Sequence, residues 1–303
     1  MLPTHGPSQT QKISVVIPTY NYGRFIAEAI ESALVQTRKP DDVIVVDDGS
    51  TDETEAAVRR LEADRVRYIR QPNAGVCVAR NRGVAESSGD LIAFLDADDT
   101  WEPTKLEKQL AMFEADPEIG LVHCGMREFD GESGETRVLR LDGQDGWVAH
   151  EILLWERPAI IGPGGTIMVN REAFASVGGF DERMKVGEDW DFCYRVARRY
   201  KVGFVREPLV NYRSHAAAAH RNVYEMERGM GLFYQKAFSD PDPAVQALRP
   251  RALSNYHRVL AGSYFTVGSY GKFVSHSIRS IWHRPAAVFY FLGFPVRRLS
   301  GGR

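Results

Sequence analysis

The sequence predicts an α/β protein with a mostly parallel central sheet flanked by helices and a helical C-terminal extension. Three observations carry this reading. Short runs rich in β-branched residues alternate with stretches of helical periodicity over brief connections. The run over residues 91–95 is apolar without interruption, the pattern of a strand covered on both faces. Acidic residues stand where two of the runs end, and sheets of this kind gather ligands outside the carboxyl ends of their strands.

Ile13-Ser14-Val15-Val16-Ile17-Pro18 is the first strand, stopped by Pro18. After the loop Thr19-Tyr20-Asn21-Tyr22-Gly23, the residues Phe25, Ile26, Ala29, Ile30, Ala33 and Leu34 recur at helical spacing. Val43-Ile44-Val45-Val46 is a second strand ending in Asp47-Asp48-Gly49, and Ser50 with Glu53 forms a capping box for a helix through about Ala63. A third strand, Val66-Arg67-Tyr68-Ile69, precedes a helix from Gly75 to about Ser87 that carries Arg80, Asn81 and Arg82. Leu91-Ile92-Ala93-Phe94-Leu95, opened by Gly89-Asp90, is the fourth strand, and it runs into Asp96-Ala97-Asp98-Asp99-Thr100.

Beyond Trp101-Glu102-Pro103 a helix reaches about Ala115. Residues 120–129 and 136–141 read as strands paired through Gly131-Glu132-Ser133-Gly134. Gly164-Gly165 and Gly178-Gly179 fit either turns or close approach of backbone to a ligand. Gly187-Glu188-Asp189-Trp190 opens a helix whose first-turn acids suit the helix dipole and equally suit a general base. Leu209-Val210-Asn211-Tyr212-Arg213-Ser214-His215 closes the α/β part, and helices follow over 224–238 and 244–265, interrupted by Pro241, Pro243 and Pro250.

Charge is divided along the chain. After Asp242 there is no Asp or Glu but nine Lys and Arg, so with a net charge of −2 the preceding residues carry −11. The aromatic and basic stretch from Lys272 onward is too short in apolar residues to span a bilayer. It suits a helix lying on an anionic membrane surface, packing on the acidic part of the chain, or forming a homodimer. No nucleic-acid-binding module is recognisable. Three scattered cysteines without C-x-x-C spacing suggest neither a disulfide framework nor a thiolate zinc site and fit a reducing cytoplasm. The polar residues 1–12 read as a loose tail without an export signal.

Ionised carboxylates at the lip of a buried strand repel one another and are costly to desolvate, so Asp96-x-Asp98 calls for a cation among them. A divalent ion holding a phosphorylated ligand meets that need, because alternate residues of extended chain face one side. The simpler alternative is a solvated turn capping the next helix. Asp47 and Asp48 likewise suit hydrogen bonds from a nucleoside, or a turn. Neither G-x-G-x-x-G nor a P-loop is present.

Four ordered blocks then carry a resemblance: Ser14-Val15-Val16-Ile17-Pro18-Thr19-Tyr20-Asn21, Val45-Val46-Asp47-Asp48-Gly49-Ser50-Thr51-Asp52, Ala79-Arg80-Asn81-Arg82-Gly83 and Phe94-Leu95-Asp96-Ala97-Asp98-Asp99. Together they resemble family 2 glycosyltransferases, inverting enzymes with the GT-A fold. The resemblance implies a GT-A domain over 13–215, with a nucleotide-binding half (13–100) and an acceptor half (101–215), followed by a basic helical region over 216–303. It implies that Pro18, Thr19, Tyr20, Asp47, Asp48, Arg80 and Asp96 bind a nucleotide-sugar, commonly a UDP-sugar. Asp96 and Asp98, with His215 as a further candidate, would hold Mn2+ or Mg2+. Asp189 matches the catalytic base, with Glu188 orienting it, and Arg213 or His215 would approach the diphosphate or metal. The acceptor would be a glycan, lipid-linked or protein hydroxyl in surface polysaccharide, lipopolysaccharide or glycoprotein glycan assembly, reached from the cytoplasm or the inner face of the membrane.

Two rival readings stay open at this point. Asp96-Ala97-Asp98-Asp99-Thr100 superficially matches the D-x-D-x-T nucleophile of haloacid dehalogenase-like, magnesium-dependent phosphohydrolases, although that motif follows an early strand and expects glycine where Asp99 stands. The same scaffold can also serve as a non-catalytic sugar-nucleotide binder.

Overall fold

The computed structural model describes residues 11–61, 65–215 and 222–294. The tail expected over 1–12 and the end of the basic stretch therefore lie mostly outside the described residues. A nucleating parallel layer comes first: β1 (Ile13–Thr19), β2 (Asp42–Asp47), β3 (Val66–Arg70) and β4 (Leu91–Phe94), interleaved with α1 (Ile26–Leu34), α2 (Thr54–Arg59) and α3 (Val76–Glu86). These four strands pair in the order β3-β2-β1-β4.

Their uniform hydrophobicity has the expected cause. Ile13, Val15 and Ile17 of β1 enter one core cluster, with helix α1 above them, whereas Val16 enters the other. Every one of these side chains has zero solvent exposure. Alternate residues thus serve two opposite cores, and the one small polar side chain among them, Ser14, is buried with its hydroxyl accepting the Gly89 N–H.

The second half makes the sheet mixed. It comprises β5 (Thr100–Trp101), α4 (Lys105–Ala115), β6 (Ile119–Asp130), β7 (Thr136–Arg140), α5 (Ala149–Leu154), β8 (Met168–Asn170), α6 (Arg171–Val177), α7 (Glu188–Ala197) and β9 (Lys201–Ser214). Short β8 inserts antiparallel between β4 and β6, and long β9 runs parallel to β6 over nearly its whole length. The β6–β7 hairpin forms where the turn residues place it. At the far edge, Thr100 and Trp101 pair with Asn211 and Val210, which lays the loop after β4 against the end of β9.

Four local expectations need correction. Strand β1 continues past Pro18 to Thr19, because its pairing with β4 ends at Val16 and a missing N–H costs nothing on that side. Ser50 does not cap a helix: its Oγ accepts the Asn21 N–H at 2.8 Å, and Asp52 Oδ1 instead takes the Thr54 N–H at 3.0 Å. Helix α2 consequently starts at Thr54 and ends at Arg59. In the C-terminal part, Pro250 sits inside one continuous helix rather than interrupting it.

That part consists of α8 (Val223–Ala237), α9 (Pro243–Thr266), α10 (Tyr270–His283) and α11 (Ala287–Leu292). Phe233 and Tyr234 of α8, with Leu260 and Tyr264 of α9, are buried in the same cluster as Val16, Ile92 and Phe94 of the sheet. Contact between α8 and the loop ahead of α7 is direct. A Cβ added at Gly229 would overlap the backbone carbonyl of Val186, so only glycine lets the two backbones approach this closely. Gly229→Ala is expected to lower stability by about 1–3 kcal/mol in denaturant unfolding, the usual penalty for overpacking. An unchanged midpoint would show that α8 can lift off the loop freely.

Candidate active site

Two loops close the N-terminal half of the site, and they are bolted to each other. Asn21 adopts the left-handed conformation at φ 59°, which an Asn tolerates better than most residues. Its Oδ1 accepts the Thr51 N–H at 2.8 Å, and Asp52 Oδ2 accepts the Gly23 N–H at 3.0 Å. The Thr19 carbonyl accepts the Asp48 N–H at 2.8 Å. The loops after β1 and β2 therefore move as one body.

The two adjacent aspartates do different work. Asp47 is fully buried; its Oδ1 accepts the Ser50 N–H at 2.8 Å and its Oδ2 accepts the Tyr68 hydroxyl at 2.5 Å. It does not line the cavity described below, so the expected direct contact with a nucleoside is not where the structure places it. Asp48 does line that cavity. Its carboxylate is oriented by the Gln71 amide at 2.7 Å and by the N–H groups of Ala74 and Gly75 at 2.9 and 2.7 Å, just ahead of α3.

A cavity of about 600 Å³ lies outside the carboxyl ends of the strands. Pro18, Thr19, Tyr20, Asp48, Arg80, Asp96, Asp98, Glu188 and Asp189 all contribute to its wall. The sequence-derived site residues thus converge on one hollow, with Asp47 behind the wall and His215 reaching it through Asp98. Thr19 presents a buried hydroxyl with no hydrogen-bond partner among the described residues.

Arg80 ties the hollow together. Only 3% exposed, it donates from Nη2 to Asp96 Oδ1 and from Nη1 to Glu188 Oε1, both at 2.9 Å, and lies over the Phe180 ring. Gly164 crosses so close to Asp96 that any side chain there would strike the carboxylate. Gly164-Gly165 forms a turn, its backbone passing close to Asp96 and Arg80.

The loop after β4 meets the end of β9 through the β5 pairing. His215 Nε2 lies 2.9 Å from Asp98 Oδ2, while its Nδ1 is buried and unpaired among the described residues. Arg213 turns the other way: its N–H donates to Asp99 Oδ1 at 2.9 Å, its Nε to the Asp98 carbonyl at 3.0 Å and its Nη2 to Glu28 at 2.5 Å, between the rings of Phe25 and Phe129. The notion that Arg213 approaches a diphosphate is therefore corrected; it latches the acidic loop from behind.

Crowding leaves an electrostatic signature. Burial, followed by the charge of Asp96, raises the pKa of Asp98, with His215 opposing. Burial together with Asp98 and Asp96 raises Asp99 well above the ordinary carboxylate range. Burial and the adjacent charge of Glu188 push Asp189 up to about 7 against the pull of Arg80. A carboxyl poised there can take a proton at neutral pH.

Several wall residues escaped sequence reasoning. Tyr22 packs its ring edge toward His215 and lines the cavity beside Asp98. It stood in plain view one residue past the first block. Trp155, held in the left-handed conformation at φ 50°, and Met226 and Met230 of α8 are brought in by tertiary packing alone. Among the described residues no group of three or more His, Cys, Asp and Glu side chains is arranged to enclose an ion. Asp98 with His215 forms a two-ligand edge, which fits an ion only if a ligand completes its shell.

Comparison with known proteins is consistent with this geometry. The sequence model of Glycosyl transferase family 2 matches residues 14–178. An uncharacterised glycosyltransferase of Rickettsia prowazekii is 32% identical over 206 residues, 68% of this chain and 64% of the relative. Another from a Nostoc strain is 32% identical over 221 residues, 70% of this chain and 67% of the relative. The chain thus spans about two thirds of the length of these relatives. In fold, it is similar to Staphylococcus aureus TarS solved with UDP-GlcNAc, at a TM-score of 0.70 and 17% identity over 90% of this chain and 81% of that one. It is also similar to the mannosyltransferase PcManGT of Pyrobaculum calidifontis solved with GDP-Man and Mn2+, at 0.64 and 19% over 96% and 81%. Neither the phosphohydrolase nor the binder reading gains support from these matches. A GT-A fold, four ordered blocks and a family match over more than half its length make this chain a member of glycosyl transferase family 2.

Proposed function

We propose that this enzyme transfers a sugar from a nucleoside-diphospho-sugar, UDP-linked, to an acceptor hydroxyl with inversion at the anomeric carbon. The supporting observation is the convergence of Asp48, Asp96, Asp98 and Asp189 on one cavity. Pro18, Tyr20 and the unpaired Thr19 hydroxyl contact the nucleoside, and the preoriented Asp48 accepts its hydrogen bonds. Arg80 and Asp96 border the diphosphate and sugar. TarS and PcManGT were solved with a UDP-sugar and a GDP-sugar, so both nucleotides are within reach of this fold.

Asp98 and His215 would hold Mn2+ or Mg2+, which when bound supplies charge stabilisation to the departing diphosphate. As the acceptor oxygen attacks the anomeric carbon, Asp189 takes its proton. The new C–O bond forms while the bond to the diphosphate breaks, and that electron pair leaves with the nucleoside diphosphate. Glu188, held by Arg80, keeps Asp189 oriented and its proton affinity high. On the acceptor side, Trp155 and Trp190 stand 5.8 Å apart between ring centroids, with Met226 and Met230 beside them. This apolar wall suits the C–H faces of a sugar ring in polysaccharide, lipopolysaccharide or glycoprotein glycan assembly. Three free, buried cysteines fit work in the reducing cytoplasm.

Asp189→Asn is expected to cut transfer by about 10²–10⁴-fold while leaving nucleotide-sugar binding intact, measured by turnover and by thermal shift with UDP- and GDP-sugars. Transfer at the undiminished rate would remove Asp189 from the role of base. A carboxyl with its pKa near 7 is protonated, and so disabled as a base, below that pH. The kcat/KM profile is therefore expected to fall by about tenfold per pH unit on the acid side of neutrality, and a flat profile down to pH ~5 would contradict this. Chelation with EDTA should abolish transfer and added Mn2+ or Mg2+ restore it. Full activity without metal would leave the Asp98–His215 pair a purely structural contact.

A further inference from the structure

We infer that α10 and α11 form a surface that docks on an anionic lipid bilayer. On α10, Tyr270, Val274, Ile278 and Trp282 follow one another at intervals of four, which stacks them along one face of a helix. That face points to solvent: the four are 61%, 51%, 62% and 84% exposed. The opposite face is already occupied. His276 and Ser280 are buried against α9, where Ser254 Oγ donates to the Ser280 carbonyl at 2.9 Å and His276 meets His257. Helix α11 adds Phe289 and Leu292, 74% and 70% exposed.

Six large apolar side chains left in water on two consecutive short helices are costly unless another phase receives them. The charge around them says which phase. No Asp or Glu follows Asp242, while Arg279 and Arg284 stand exposed on and beside α10, and Arg297, Arg298 and Arg303 follow in the sequence. A partner of negative surface potential with an apolar interior matches both features, as an anionic leaflet does. Among the described residues no helix is long and apolar enough to cross a membrane, so the contact is one of lying on the surface. This assignment does not depend on the sugar, the nucleotide or the base.

Full-length protein is to be sedimented with vesicles of phosphatidylcholine alone and of phosphatidylcholine mixed with phosphatidylglycerol. Binding to the mixed vesicles, weakened by high salt and far weaker on the neutral ones, is the expected result. The double variant Ile278→Glu/Trp282→Glu should bind about tenfold or more weakly. Because both positions are exposed, it should keep the wild-type thermal midpoint and nucleotide-sugar binding. Arg279→Glu/Arg284→Glu provides an independent arm through charge alone, with the same loss expected. Absence of wild-type binding to the mixed vesicles, or equal binding to both kinds, overturns the proposal. So does a wild-type dimer in solution that the Ile278/Trp282 variant dissolves while neither protein binds vesicles, since the face would then belong to a second copy.

Discussion

Arg80 is a fully charged guanidinium with almost no solvent contact, and it spans two acids that are 92 residues apart in the chain, Asp96 and Glu188. Burying such a cation is costly unless its partners are close and well aligned. Here they are, with the Phe180 face beneath. The pairing works in both directions: it satisfies the cation, and it allows the carboxyl end of β4 to face the start of α7 across a small space without mutual repulsion. On the other side of the acidic loop, the Arg213 backbone N–H holds Asp99 and the His215 ring holds Asp98. The raised pKa values of Asp98, Asp99 and Asp189 come first from burial and then from the neighbouring acids, which their cations offset only in part.

The polar scaffold around the hollow is as specific as the apolar core beneath it. Asp47 turns both carboxylate oxygens inward, to the Ser50 N–H and the Tyr68 hydroxyl, and thereby fixes the turn that presents Asp48. Ser50, Asp52 and Asn21 fasten the adjoining loop. These mutual hydrogen bonds hold the loops' geometry without help from a ligand. The polar wall of the hollow is in this sense prebuilt.

Much of this was legible in the amino-acid order because it is local. Buried parallel strands announce themselves as largely apolar runs, and acids at their ends mark the edge where the hollow lies; Asp48, Asp96 and Asp98 follow from those two rules, and Asp189 from the resemblance of Glu188-Asp189 to the family's acidic motif. What could not be read is what depends on long-range pairing. Two neighbouring aspartates look alike in sequence, yet one faces inward because Tyr68 of the next strand reaches it. Ser50 satisfies every local rule for a capping residue but is claimed by Asn21, 29 positions away. Arg213 looked like a phosphate ligand until the β5–β9 pairing turned it toward Asp98, Asp99 and Glu28. Pro250 survives mid-helix because α9 is packed against α5, α8 and α10 along its length.

The hollow has walls of two origins. Its polar side is furnished by strand ends and the loops between them, while Met226 and Met230 come from α8, which touches the α7 approach through Gly229. Side-chain changes along the outer helix can therefore reshape this side of the hollow and leave the fixed polar cradle as it is. Such a division separates the side of the hollow set by the sheet from the side set by an outer helix.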